Sequence, residues 1–154
     1  MRAPATVRLE RFQQLIRQVT FEASNGATII VEGKKDRESL RRLGVTGTIE
    51  CLQNSRQTPV GFVENLGKPR RIILLTDFDR EGISLAKKLT RILNAYSFHV
   101  NLVLWKRLRE LTRSEVRSIE ELPKYFERLQ DEVYPTKRGT LDVSGSAYNP
   151  SAIL

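Results

Sequence analysis

Two short runs of this sequence carry acids at spacings suited to a divalent cation. Glu32-Gly33-Lys34-Lys35 follows directly on the apolar stretch Ala27–Val31, and Asp77-Phe78-Asp79-Arg80-Glu81-Gly82 follows the apolar stretch Ile72–Leu75. If the second run stays extended, its period of two points Asp77 and Asp79 to the same side and turns Phe78 back toward apolar packing. Acids held so close repel one another, and such a cluster persists cheaply only when a cation neutralises it. Magnesium is the natural candidate: it prefers oxygen ligands, takes one or two carboxylates, keeps several waters and completes its shell with phosphate oxygens. The lone histidine and lone cysteine provide no softer ligand set. Gly33 and Gly82 are expected to let the backbone turn sharply after each acid and approach a ligand closely. Lys34, Lys35 and Arg80 flank the acids, either to steer and clamp a phosphate or simply to neutralise the cluster.

Alternating strands and helices must position these runs. From Leu9 to Ala23, apolar residues at spacings of three and four predict an amphipathic helix, placed as an N-terminal element over 1–26. Ala27–Val31 reads as a buried strand, a helix follows over 35–43 and closes at Gly44, and Thr48–Leu52 reads as a second strand. Thr58 before Pro59 suits a helix N-cap with proline at the first helical position, for a short helix to about Leu66. Ile72–Leu75 has the continuous apolar character of a central parallel strand, and 81–96 has clear helical periodicity. Phe98, Val100, Leu102 and Leu104 alternate with other residues and predict a fourth strand. Thr112 and Glu115 have capping-box spacing, which places a helix over 116–129 that Pro123 kinks or splits. Proline, glycine, serine and asparagine break every pattern over 134–154, which is expected to be an extended or disordered tail. Alternation of this kind implies right-handed βαβ units and a parallel sheet, with the main domain over 27–133. In such sheets ligands bind beyond the carboxyl ends of the strands, where both acidic runs fall.

The 154-residue length suits one domain, and no apolar run approaches the roughly 20 residues of a membrane span. A soluble, cytoplasmic protein is expected, because the first ten residues lack an unbroken apolar stretch and the single Cys51 has no disulfide partner. Basic residues number 26 against 18 acids, giving a net charge of +8 and a pI near 10.0, which favours polyanionic partners such as RNA or DNA.

Together the two acidic runs carry a family resemblance. Ile29-Ile-Val-Glu32-Gly33-Lys34-Lys35-Asp36 resembles the first motif of Toprim domains, closest to the primase and ribonuclease M5 form. Asp77-Phe-Asp79-Arg80-Glu81-Gly82 resembles the second, and is similar to type IA topoisomerases through Arg-Glu-Gly. With the matching strand pattern, the resemblance covers about Ala27 to Trp105. It implies an α/β fold with a four-stranded parallel sheet flanked by helices. It further implies Glu32 as a general acid or base, Asp77 and Asp79 as magnesium ligands, and Glu81 as a third carboxylate. Ile83 departs from the pattern, since topoisomerase-type motifs often carry another acid there. No nucleophilic-tyrosine site or primase-type zinc region is recognisable, so DNA relaxation is not expected.

Each residue also has an ordinary reading. Asp77 and Asp79 suit helix capping, Glu81 suits any first helical turn, and Glu32 suits a strand end. Arg70-Arg71 and the run Lys106 to Arg109 read as solvated faces, while His99 and Trp105 read as structural. Three functions compete. The leading one is a magnesium-dependent nuclease or phosphoryl-transfer enzyme on RNA or DNA, with RNA maturation suggested by the ribonuclease M5 likeness. An alternative is a non-catalytic nucleic-acid-binding adaptor of a larger RNA- or DNA-processing complex. A phosphoacceptor of the response-regulator type fits poorly, because receivers carry paired acids after the first strand and one after the third, the reverse of this order.

Overall fold

The computed structural model describes residues 2–53 and 56–135. The elements run α1 (Ala5–Ser24), β1 (Ala27–Val31), α2 (Lys34–Arg42), β2 (Thr48–Cys51), α3 (Pro59–Glu64), β3 (Arg71–Leu74), α4 (Arg80–Ala95), β4 (Val100–Asn101), α5 (Val103–Thr112) and α6 (Leu122–Val133). Short 3-10 turns at Arg113–Glu115 and Ile119–Glu121 join the last two helices. The strands form one sheet in the order β2-β1-β3-β4, and every pairing is parallel. This is the four-stranded, helix-flanked α/β architecture that the sequence implies.

Strand burial follows from position in the sheet. β1 lies between two neighbours and is buried at all five residues, while the edge strand β2 alternates exposed and buried. A strand covered on both faces needs an unbroken apolar sequence, and one with an open face needs alternation. From β1 the chain steps one way to β2, then returns across β1 to β3 and on to β4. Right-handed crossovers in opposite directions must lie on opposite faces. Accordingly α1 packs against α5 and α6, and α2 against α6, in one layer, whereas α3 and α4 pack on each other in the second. Phe12 of α1, fully buried, stacks on Phe126 at 5.4 Å and tilts against Tyr125 at 5.6 Å, fixing α1 on α6. No helix among the described residues is long and apolar enough to cross a membrane.

Several local readings hold. Thr58 caps α3, its hydroxyl oxygen accepting the Gly61 N–H at 3.0 Å with Pro59 in the first turn. Gly44 ends α2 at a φ of 91°, a left-handed conformation that side chains resist. Trp105 is buried and structural, its indole N–H donating to the Thr76 carbonyl at 2.8 Å.

The region after residue 101 requires correction. The fourth strand stops at Asn101, whose side-chain oxygen accepts the Val103 N–H at 2.8 Å and turns the chain into α5. Leu104 and Leu108, four apart, are both buried beneath this helix, so Leu104 belongs to helical spacing and only coincidentally continues the alternation of Phe98, Val100 and Leu102. The run Lys106 to Arg109 is therefore a helical surface interrupted by buried Leu108, with the Arg109 guanidinium 5.7 Å from the Trp105 ring centre. Thr112 does not open a helix; it closes α5, donating its hydroxyl to the Leu108 carbonyl at 2.9 Å. The capping box belongs instead to Ser118 and Glu121, and Val116 is buried outside any helix. Pro123 lies in the first turn of α6, where its missing N–H costs nothing, so it starts the helix and does not kink it. Of the 134–154 tail, everything beyond Pro135 lies outside the described residues.

Candidate carboxylate site

The order β2-β1-β3-β4 reverses direction between β1 and β3, and the crevice beyond their carboxyl ends is where open α/β sheets bind ligands. Glu32 leaves the end of β1 there. Beyond β3, the Leu75 N–H donates to the Ile30 carbonyl at 2.9 Å, and Thr76 is fully buried, so the chain reaches Asp77 still held against β1. The Asp77 N–H then donates to Glu32 Oε2 at 2.7 Å. One contact thus joins the two acidic runs.

Asp77 is held from a second side. Its Oδ1 accepts the Ile119 N–H at 3.0 Å, and the adjacent Phe78 N–H donates to the Arg117 carbonyl at 2.7 Å. Phe78 turns inward as its alternation suggests, with its ring centre 6.1 Å from that of Trp105. Asp79 spends Oδ1 on capping α4, accepting the Gly82 N–H at 2.7 Å. Gly82 is required by contact and not by a turn: a Cβ there would sit 2.0 Å from the Asp77 carbonyl oxygen. Thr76 locks the same approach, donating its hydroxyl to the Gly82 carbonyl at 2.8 Å. The chain bends at Glu32-Gly33 into α2, but Gly33 itself is extended at φ −141° and ψ 175°, a conformation any residue adopts, and its N–H donates to Asp36 Oδ2 at 3.0 Å. A Cβ at Gly33 would lie 2.7 Å from Gln53 Oε1, so at both positions glycine is favoured by close contact within the protein and not by a positive φ.

Electrostatics separate these acids from ordinary surface carboxylates. Asp77 is pushed up to about 6, first by burial and then by the charge and hydrogen bonding of Glu32 and the charge of Asp79, against the opposing hydrogen bond from Ile119. Asp36 is also pushed up to about 6, by burial and then by Asp77, with Glu120 adding a smaller push. Asp36 has no role in the sequence reading, yet it is buried and faces the same negative field. Its signal lay in its position at the third residue of α2, where an acid bonds back to the N-cap amide. Glu81 is exposed on the first turn of α4 and makes no hydrogen bond to the others among the described residues. Lys34, Lys35 and Arg80 are exposed, and no ion pair among the described residues ties them to the acids.

The family model for the Toprim domain matches residues 27–104, just over half of the chain and inclusive of both acidic runs. The chain belongs to the Toprim family. Toprim membership ties it to metal-dependent work on nucleic acids in general. Among curated proteins it is similar to the UPF0292 protein of Methanosarcina acetivorans, 36% identical over 80% of this chain and 85% of that one. The UPF0292 protein of Thermococcus kodakarensis is 37% identical over 73% of this chain and 81% of its own length. A solved protein from Aquifex aeolicus superposes with a TM-score of 0.57 at 28% identity, covering 70% of this chain and 94% of that one.

Toprim domains typically bind magnesium, and the residues here permit a test of fit. Among the described residues, no three acid, histidine or cysteine side chains converge into a ready metal cage. Magnesium does not demand one, since it is commonly held by one or two carboxylates and otherwise by water and phosphate. The contact of Glu32 with the Asp77 amide, together with the charge of Asp79 on Asp77, supplies that smaller donor set. Its oxygen-only chemistry and raised Asp77 suit a hard cation. Arg117 and Ile119, which hold this Toprim site from the α6 side, lie beyond the matched residues.

Proposed function

We propose that the chain is a magnesium-dependent nuclease or phosphoryl-transfer enzyme acting on RNA or DNA. The observation that carries this reading is the 2.7 Å contact of Glu32 with the Asp77 amide at the strand-order reversal, with no basic side chain ion-paired to either acid among the described residues. Asp77 and the free oxygen of Asp79 would hold the cation, with Glu81 as a third carboxylate. When bound, magnesium would polarise the scissile phosphate and ready the attacking oxygen.

The remaining roles fall to this chain's own groups. Glu32 is half-buried and anchored by the Asp77 amide through one oxygen, which leaves the other to take or give a proton as general acid or base. Lys34, Lys35 and Arg80, exposed at the starts of α2 and α4, would meet substrate phosphates. The Ile119 amide fixes the Asp77 carboxyl, and the Gly33 amide fixes that of Asp36.

A second reading, a nucleic-acid-binding adaptor without catalysis, is favoured by the fact that no three acids among the described residues converge into a ready metal cage. Incubating the purified protein with pooled RNA and DNA in magnesium, manganese or EDTA separates the two. The enzyme reading expects metal-dependent cleavage that falls about 100-fold or more in Glu32→Gln and in Asp77→Asn. Intact substrate in every metal, with nucleic acid still bound, would leave the adaptor standing.

A further inference from the structure

A groove of about 440 Å³ lies between α1 and α5, on the helical layer and separate from the acids. Its lining includes Arg2, Arg8, Arg11, Arg107 and Arg113, against the single acid Glu110. Two of these arginines are committed to the fold. Arg2 pairs with Glu115, and Arg8 donates to the Ala3 carbonyl at 3.0 Å and meets Glu132 at 3.3 Å. The other three, Arg11, Arg107 and Arg113, are exposed and have no ion-pair partner among the described residues.

Arg113 adds an independent sign. It holds a φ of 41° at the end of α5, a left-handed backbone where glycine would rest without strain. An arginine at such a strained position points to use of its side chain. Its place also links the groove to the acids. Four residues further on, the Arg117 carbonyl accepts the Phe78 N–H beside Asp77, and four residues of chain span at most about 14 Å.

We infer that this groove is a second phosphate site, which binds the backbone of the nucleic-acid strand that reaches the carboxylates. The inference rests on the nucleic-acid reading above but not on catalysis. Guanidinium groups pair with phosphate oxygens through planar forks, and three unpaired ones along one groove match successive phosphates better than a single anion. The acids alone would repel such a strand, so an arginine track beside them supplies the attraction that docks it.

The test is anisotropy of a labelled single-stranded oligonucleotide in EDTA, over a range of salt, on the full chain. The triple variant Arg11→Ala, Arg107→Ala, Arg113→Ala is expected to bind at least about tenfold more weakly and to flatten the salt slope by about 2. A control that removes equal charge from α4, Lys87→Ala with Lys88→Ala and Arg91→Ala, should change affinity less than about threefold. Equal losses in the two triples would overturn the site, as would a free mononucleotide that binds as tightly as the strand. Arg113→Gly keeps the backbone conformation and removes the guanidinium; weaker binding at an unchanged melting temperature is expected, and unchanged binding counts against the groove. Because cleavage is read separately in magnesium, a catalytically silent protein can still pass this test, and an active nuclease can fail it.

Discussion

Charge is handled in opposite ways at two places in this molecule. Where a charge is drawn into the layer of α1, α5 and α6 it meets partners: Arg8, with its side chain 10% exposed, reaches both Glu132 and Glu115, and Glu22 accepts from Asn101 and Arg71. At the carboxyl ends of β1 and β3, Glu32, Asp36, Asp77 and Asp79 are held by the backbone amides of Asp77, Gly33, Ile119 and Gly82, and no ion pair reaches them among the described residues. Amides fix direction without cancelling net charge. Burial first, and then the neighbouring acids that no counter-charge offsets, push Asp36 and Asp77 both up to about 6 in a chain that carries eight excess positive charges. A protein so rich in arginine has counter-charges to spare, and leaving this edge without them keeps it open to a cation from solution.

The contrast can be broken hardest at the backbone that shapes the acid edge. Gly82→Ala places a methyl group 2.0 Å from the Asp77 carbonyl oxygen and 2.9 Å from its Cα, and backbone atoms cannot rotate away as a side chain could. A loss of about 3 kcal/mol is expected, read from the denaturant midpoint. A variant as stable as the parent would show that the approach of α4 to Asp77 is not the constraint claimed. The helical layer should answer next. Arg8→Ala strips a largely buried guanidinium from the Ala3 carbonyl, Glu115 and Glu132, and should cost about 2 kcal/mol through lost packing as well as lost charge. Arg8→Lys should recover only part of this, since an ammonium cannot span the same partners.

These regions also differ in how legible they were. β1 and β3 could be read because strands buried on both faces need unbroken apolar runs, and Glu32, Asp77 and Asp79 because strand ends in a parallel sheet set a common edge. Residues 102–112 could not, because Leu102 and Leu104 continue the alternation of Phe98 and Val100 while Leu104 and Leu108 keep helical spacing, and only the Asn101 side chain on the Val103 amide decides between them. Asp36, quoted within the first motif, received no role because a helical N3 acid has an ordinary structural use, and its exposure to Asp77 depends on how α2 packs. The Ile119 amide on Asp77 carries no sequence signal at all, since every non-proline residue offers the same donor.

The smallest expected effect is the one whose sign matters most. Asp77 titrates near 6 in the folded protein against 3.8 for a free aspartate, so the fold favours its protonated form. Stability from that preference is fully present below about pH 4 and is lost as pH rises through about 6. A shift of that size at full burial would amount to about 3 kcal/mol, and solvent screening at a half-exposed carboxyl reduces it to about 1 kcal/mol. Asp77→Asn keeps an oxygen to accept the Ile119 N–H and removes the charge facing Glu32. In metal-free buffer at pH 8 the variant should therefore be more stable than the parent by about 1 kcal/mol, with the two converging near pH 4. Adding magnesium should shrink or reverse the gap, because the cation offsets the repulsion in the parent alone. Thermal melts at both pH values, with EDTA or magnesium, measure all four corners. If Asn is the less stable at pH 8 without metal, the acid edge is held together by its charges after all, and the contrast with the Arg8 side disappears.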